Sequence, residues 1–238
     1  MDLKENNILG KSIGKHWYYQ SKAKALKKFI KNITSTKVLD VGAGSGFFSK
    51  ELMKIPSVKE VWCVDTSYEE ERDDIENNKK IHFRKSIEWC DADLILLMDV
   101  LEHVDDDVGF LKTYINKVPK GVYFLISVPA FQFLWSSHDV FLEHKRRYRL
   151  KEIENILQAS NLKIIQSSYY FSLVFPIAAV VRLAEKLRGQ ALDKGASQLK
   201  LHHPLINTVL LKICNLELTF FRHNKLFGLS AFCLAIKN

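Results

Sequence analysis

"VLDVGAGSGFFS" occupies residues 38–49 and sets three glycines at alternate positions behind an apolar run that contains an acid. Glycine permits left-handed turns and lets a ligand come close to the main chain. A helix that begins just beyond such a turn points its positive end at that ligand. The stretch therefore reads as a strand, a glycine-rich turn and a helix that together cradle a nucleotide-like cofactor. The dinucleotide pattern is GxGxxG, but here Gly42, Gly44 and Gly46 are followed by Phe47, so the third glycine comes one place early.

Working outward, short apolar runs alternate with helical patterns. "KVLDVGA" and "EVWCVD" read as the first two strands, and "ADLILLMDV" (92–100) is a continuous apolar run of the length of a strand covered on both faces. "VDDDVGFLKTYINKV" has helical spacing at Val108, Leu111, Tyr114 and Ile115, and "GVYFLISVP" (121–129) is the next strand. The acidic "SYEEERDDIENN" is expected to be a charged helix leading to a weaker strand at "IHFRKSI". Upstream, "HWYYQSKAKALKKFI" carries apolar residues at Ala23, Leu26, Phe29 and Ile30, an amphipathic helix before the first strand. This alternation predicts an α/β fold, a doubly wound and mostly parallel sheet. Ligands of such sheets bind beyond the carboxyl ends of the strands, which is where Asp40, Gly42, Asp65, Asp99 and Pro129 fall.

Composition narrows the class. The chain has 238 residues, 47% of them hydrophobic, and no repeat or Gly/Ser/Pro-rich linker, so one domain over 1–238 is expected. Its four cysteines are far apart and suggest neither zinc nor a disulfide frame. The polar start shows no signal-peptide core, and a cytoplasmic location is expected. The net charge of +8 admits an anionic substrate, an anionic membrane surface or nucleic acid.

Two acids sharpen the cofactor. Asp65, at the end of the second strand, can take both hydroxyls of a ribose, and Asp40 can face an ammonium group. That suits a small adenosine ligand with a cationic head. Here the residues resemble the class I S-adenosylmethionine-dependent methyltransferases. "VLDVGAGSGFF" is similar to their first motif, "VDTS" to the acidic second and "DLILLMDVLEHVDD" to the fourth-strand segment of the branch related to ubiquinone-pathway O-methyltransferases. The resemblance implies a seven-stranded Rossmann-like methyltransferase sheet, S-adenosylmethionine as cofactor and S-adenosylhomocysteine as product. It implies that Gly42, Ala43, Gly44 and Gly46 wrap the methionine part, that Asp65 and Thr66 serve the ribose, and that Ser86 and Ile87 lie along the adenine. Met98 and Asp99 would line the pocket beside the methyl group. Residues 1–36, with Tyr18 among aromatics that cover the cofactor in related bacterial enzymes, would form a helical lid.

Methyl transfer from a sulfonium needs an aligned acceptor and, for a hydroxyl, a base. His138 beside Asp139, or His103 beside Glu102, can supply it. Asp99, Glu102, His103 and a later histidine (His138 or His144) form the alternative, a divalent-metal site of the kind some relatives carry. "HKRRYR" offers His144, Arg146, Arg147 and Tyr148 as substrate-binding groups, because guanidinium forks suit phosphate or carboxylate. This loop also resembles a segment of bacterial methyltransferases of cell-surface and lipid-linked pathways.

Between the sixth strand, "NLKIIQSSYYF", and an expected antiparallel last strand, "GLSAFCLAIK", residues 171–226 hold two apolar helices. Arg182 to Lys225 contains eight Lys or Arg against three acids. These helices are expected either to cap the site or mediate a homodimer, or to lie on an anionic membrane at its inner face. The leading expectation is methylation of a hydroxyl on a small or lipid-linked acceptor. The alternatives are an RNA methyltransferase, which lacks a visible RNA-binding module, and a non-catalytic cofactor-binding partner subunit.

Overall fold

In the computed structural model, residues 8–187 and 203–238 are described. A 3-10 turn at Gly10–Lys15 leads into α1 (Trp17–Phe29). Then follow β1 (Lys37–Val41), α2 (Phe47–Leu52), β2 (Glu60–Val64), β3 (Arg72–Glu76), β4 (Lys79–Arg84) and β5 (Leu94–Met98). The second half runs α3 (Asp107–Ile115), β6 (Tyr123–Pro129), α4 (Ser137–Phe141), α5 (Leu150–Ala159), β7 (Leu162–Tyr170), α6 (Phe175–Leu187), α7 (Pro204–Glu217) and β8 (Ser230–Lys237). The strands form one sheet in the order β3-β4-β2-β1-β5-β6-β8-β7. From β4 to β6 the pairs are parallel, while β8 runs antiparallel to both β6 and β7.

Buried apolar residues cover both faces, as a doubly wound sheet requires. Leu26 and Phe29 of α1, Phe47 and Phe48 of α2, and Cys214 of α7 pack on one face; Leu111 of α3 and Ile153 and Leu157 of α5 pack on the other. All five residues of β5 are buried, which explains its unbroken apolar run.

Among the described residues the sheet has eight strands rather than seven, and the extra one replaces the expected charged helix. Asn77 and Asn78 both take left-handed φ, 51° and 58°, which is the conformation of a two-residue hairpin turn. Residues 72–76 therefore fold back on β4. Charge does not oppose this, because β3 is an edge whose exposed charged side chains block further pairing. Arg72 lies over the Phe83 ring at 3.9 Å, and His82 lies 2.7 Å from Asp73 and 2.9 Å from Glu60.

The turn after β1 is built against the exit of β5. Gly42 has φ 67°, and a Cβ there would lie 2.6 Å from a methyl of Val100. The crevice between the carboxyl ends of β1 and β5 lies where the crossovers diverge, to β2 on one side and to β6 on the other.

Candidate active site

Two cavities open at this end of the sheet and share two residues, Asp99 and His103. The smaller, about 310 Å³, is bounded by Gly42, Asp65, Thr66 and Ser67 and by Val100, Phe110 and Tyr114. The larger, about 380 Å³, reaches away beneath Trp17 and Tyr18, past Leu142, Val174, Ile177, Val181 and Leu210. Its polar end holds Glu102, His138, His144, Arg147 and Arg182.

The glycine turn and the second acid cooperate in the smaller cavity. Gly44 donates its N–H to Asp65 Oδ2 at 2.8 Å, and the Ser67 N–H and hydroxyl donate to Oδ1. Among the residues expected to bind cofactor, Gly42, Asp65, Thr66 and Asp99 line this cavity. Ala43 and Gly46 are buried under the turn, and Gly46 takes φ 70° against Phe83. Asp40 lines neither cavity: it is buried, accepts from the Ser49 hydroxyl at 2.7 Å, and burial pushes its carboxyl up to about 6. Met98 and Ile87 are core residues, and Ser86 is exposed. Tyr18 lies in the larger cavity, stacked on Phe171 with centroids 5.1 Å apart.

The shared floor carries unusual electrostatics. Asp99 has φ 56°, a left-handed conformation that a non-glycine residue holds at a cost. Its Oδ2 pairs with the ammonium of Lys22, which also donates to the Tyr18 hydroxyl at 3.1 Å. The Lys22 side chain has no exposed surface. Burial alone would lower its pKa, but Asp99 and Tyr18 outweigh it and hold the ammonium charged above its ordinary range. Glu102 is fully buried, with neither oxygen hydrogen-bonded among the described residues. Burial, then the charge of Asp99, push its carboxyl well above the usual range.

The loop after β6 is sewn to the loop after β5, and the "HKRRYR" stretch is the thread. Lys145 N–H donates to Glu102 O at 2.7 Å, and Arg146 donates to the carbonyls of Val104 and Asp105. The Tyr148 hydroxyl donates to Leu101 O or Asp107, at 2.9 and 3.0 Å. Arg146 and Tyr148 thus build the loop and lie outside both cavities, where substrate contacts were expected. The stitching sets the His144 ring 4.8 Å from that of His103, edge to face.

Asp139 pairs with His144, five residues on, rather than turning to its neighbour His138. Its Oδ1 lies 2.9 Å from His144 Nδ1, and the Arg147 guanidinium grips both of its oxygens, at 2.7 and 3.0 Å. The same carboxylate accepts from Ser136 N–H, capping α4. Burial would raise the pKa of Asp139, but His144 and Arg147 outweigh it and hold the carboxyl well below its usual range. A carboxylate kept ionised there places the proton of neutral His144 on Nδ1 and leaves Nε2 as the acceptor nitrogen. His138 and Arg147 line the same cavity.

Sequence reasoning missed Lys22 and Arg182, and also the walls formed by Val100, Phe110 and Tyr114. Lys22 is one of four lysines in the amphipathic α1, and its residue type gives no sign that it sits on the buried side. Arg182 counted as a surface charge, but its guanidinium turns inward, donates to Leu134 O at 3.0 Å, and is pulled down to about 10 by burial. Phe110 and Tyr114 stand four apart on α3, a spacing equally suited to core packing.

The family model described as a methyltransferase domain matches residues 15–167. No curated protein matches the chain. Among solved structures, the chain is similar to an S-adenosylmethionine-dependent methyltransferase from Archaeoglobus fulgidus, with TM-score 0.52, 16% identity and coverage of 99% of this chain and 98% of that one. It is also similar to the YcgJ protein of Bacillus subtilis, with TM-score 0.53, 17% identity and coverage of 90% and 98%. A third is phosphoethanolamine N-methyltransferase 2 of Haemonchus contortus in complex with S-adenosyl-L-methionine, with TM-score 0.54, 13% identity and coverage of 100% and 60%.

Proposed function

Because the chain belongs to the methyltransferase-domain family, we propose that it is an S-adenosylmethionine-dependent enzyme that methylates a hydroxyl of a small or lipid-linked acceptor held in the larger cavity. The observation that carries this reading is the meeting of two cavities at Asp99 and His103, with a carboxylate-oriented histidine beside the junction.

The smaller cavity fits the cofactor. It offers the Asp65 carboxylate for a ribose diol, the backbone of the Gly42 turn, and Val100, Phe110 and Tyr114 as an apolar wall for the base. Bound there, the cofactor supplies a methyl group on a positively charged sulfur, and the protein's task is alignment and proton removal. Trp17, Val174, Ile177, Val181 and Leu210 hold an apolar acceptor body and exclude water. His144 Nε2 takes the hydroxyl proton, and the Asp139–Arg147 pair holds the imidazole in place. His138, the base expected from sequence, then contacts the acceptor.

His144→Ala should cut turnover by about 10²–10⁴ while cofactor affinity stays near wild type. His138→Ala should cost less. Transfer of labelled methyl to an extract fraction by wild type and by each variant tests both. Full activity of His144→Ala would overturn the assignment of the base.

A second reading is favoured by one observation: Glu102, His103 and His144 offer ligand atoms all within 4.8 Å of one another. That donor set suits a divalent ion, with His144 as ligand instead of base. Calorimetric titration of magnesium or manganese alone into wild type and Glu102→Gln separates the two. Saturable binding lost in the variant supports the metal.

A further inference from the structure

We propose that the outer face of α6 and α7 docks on a bilayer with anionic headgroups, and that an amphipathic acceptor enters the larger cavity through this face. The inference rests on the reading of that cavity as the acceptor site.

The face is strongly apolar for an exposed surface. Val180 is 67% exposed, Leu205 71%, Val209 55% and Leu216 62%, and Leu183, Ile206 and Phe220 are exposed as well. Exposed apolar side chains concentrated on two helices in this way mark interaction sites. Among the described residues no helix is long and apolar enough to cross a membrane, so contact would lie in the plane of the interface. The inner faces of the two helices are fastened down, α6 by Arg182, which donates to Leu134 O at 3.0 Å, and α7 by two polar side chains. Asn207 of α7 accepts from Trp17 N–H at 2.8 Å and donates to Lys15 O at 3.0 Å, and buried Glu217 accepts from Ser172 N–H at 2.7 Å. The apolar outer strip is therefore a held surface.

The face is continuous with the cavity. Ile177 is 68% exposed and also lines the cavity, and Val181 and Leu210 lead inward from it. An acyl or isoprenoid chain lying in a bilayer would meet the same apolar atoms that continue to the polar floor.

Charge selects the occupant. Lys186 of α6 and Lys212 of α7 are exposed, as is Lys24 of α1, which donates to Asn215 of α7 at 2.9 Å. The two acids in α6 and α7 are Glu185, half-buried, and Glu217, buried. Lysine stems lie along apolar surface while their ammonium groups reach headgroups. A twofold contact between copies through this strip would set like charges against one another, whereas anionic lipid neutralises them.

Co-sedimentation of the full chain with vesicles tests the proposal, using three parts phosphatidylcholine to one of phosphatidylglycerol against phosphatidylcholine alone, at low and high salt. Wild type should bind the anionic vesicles more tightly and lose binding as salt rises. Val180→Glu with Val209→Glu, neither of which lines the cavity, should lower partitioning by about tenfold or more. Lys212→Gln should lower it about fivefold. Unchanged circular dichroism and cofactor titration would show that the variants are folded. The proposal is overturned if wild type fails to pellet with anionic vesicles at low salt, or if the double variant binds as wild type does. It is equally overturned if wild type is a dimer that the double substitution splits and that never binds vesicles. A chain that binds vesicles but takes up no S-adenosylmethionine would leave the docking intact and sink the functional reading instead.

Discussion

Lys22 joins the amino-terminal helix to the catalytic floor through one buried charge pair. Removing one partner of such a pair leaves the other uncompensated, and Asp99 already sits beside the charge-averse Glu102. Lys22→Met should therefore destabilise the fold by about 3 kcal/mol in urea titration. Adding Asp99→Asn should restore most of that loss, and a double variant no better than the single would deny the pairing. Asp40 gives a pH signature. Its folded pKa of about 6 lies above the ordinary 3.8, so the folded state binds the proton more tightly. The stability conferred by that proton is full below about pH 4 and is lost as pH rises through 6, about 3 kcal/mol in all. Asp40→Asn should flatten the melting temperature over this window, and an unchanged slope would contradict the burial argument. Asp65→Ala should weaken S-adenosylmethionine binding by about 1.5–3 kcal/mol for each charge-assisted hydrogen bond lost, read by calorimetry. Individual residue types were legible in the sequence, but the pairing of their side chains was not. Asp139 adjoins His138, yet on α4 it points back to cap the helix and across to His144, and adjacency carries no information on direction.

Elements were legible wherever apolar periodicity was strong. The unbroken run of β5, the amphipathic pattern of α1 and the glycine turn after β1 all correspond to what the residues predict. The segment before β4 was not, because its acids suit a helix surface and an exposed edge strand equally. The deciding signal was the Asn77–Asn78 pair, whose tolerance of left-handed φ closes the hairpin. Gly42 tests the turn itself. Its φ of 67° and the 2.6 Å approach of Val100 leave no room for a methyl group. Gly42→Ala should cost at least about 1–2 kcal/mol from the left-handed backbone alone. It should also reduce cofactor affinity, since the turn and the Val100 wall bound one cavity. A variant with wild-type stability would show that the turn relaxes freely.

At the scale of the molecule, a short motif near the start of the chain located the site, but its walls come from residues separated by most of the sequence. Trp17, Glu102, His144, Val181 and Leu210 meet around one cavity, and only the sheet order brings them together. Distant contributions of this kind leave no local periodicity to read, which is why the cap helices could be foreseen as apolar while their inward and outward faces could not.

The position of β8 between β6 and β7 has a consequence during synthesis on the ribosome. Strand β6 is translated about a hundred residues before the partner that will cover its free edge, and among the described residues β7 pairs only with that same late strand. The edge of β6 is open throughout this interval and β7 joins it unpaired for the last part, and at an ordinary elongation rate of about 5–20 residues per second the wait lasts several seconds or more. A ribosome stalled before residue 230 would therefore release a sheet-edge template for aggregation, which makes this the stage at which the chain most needs a chaperone.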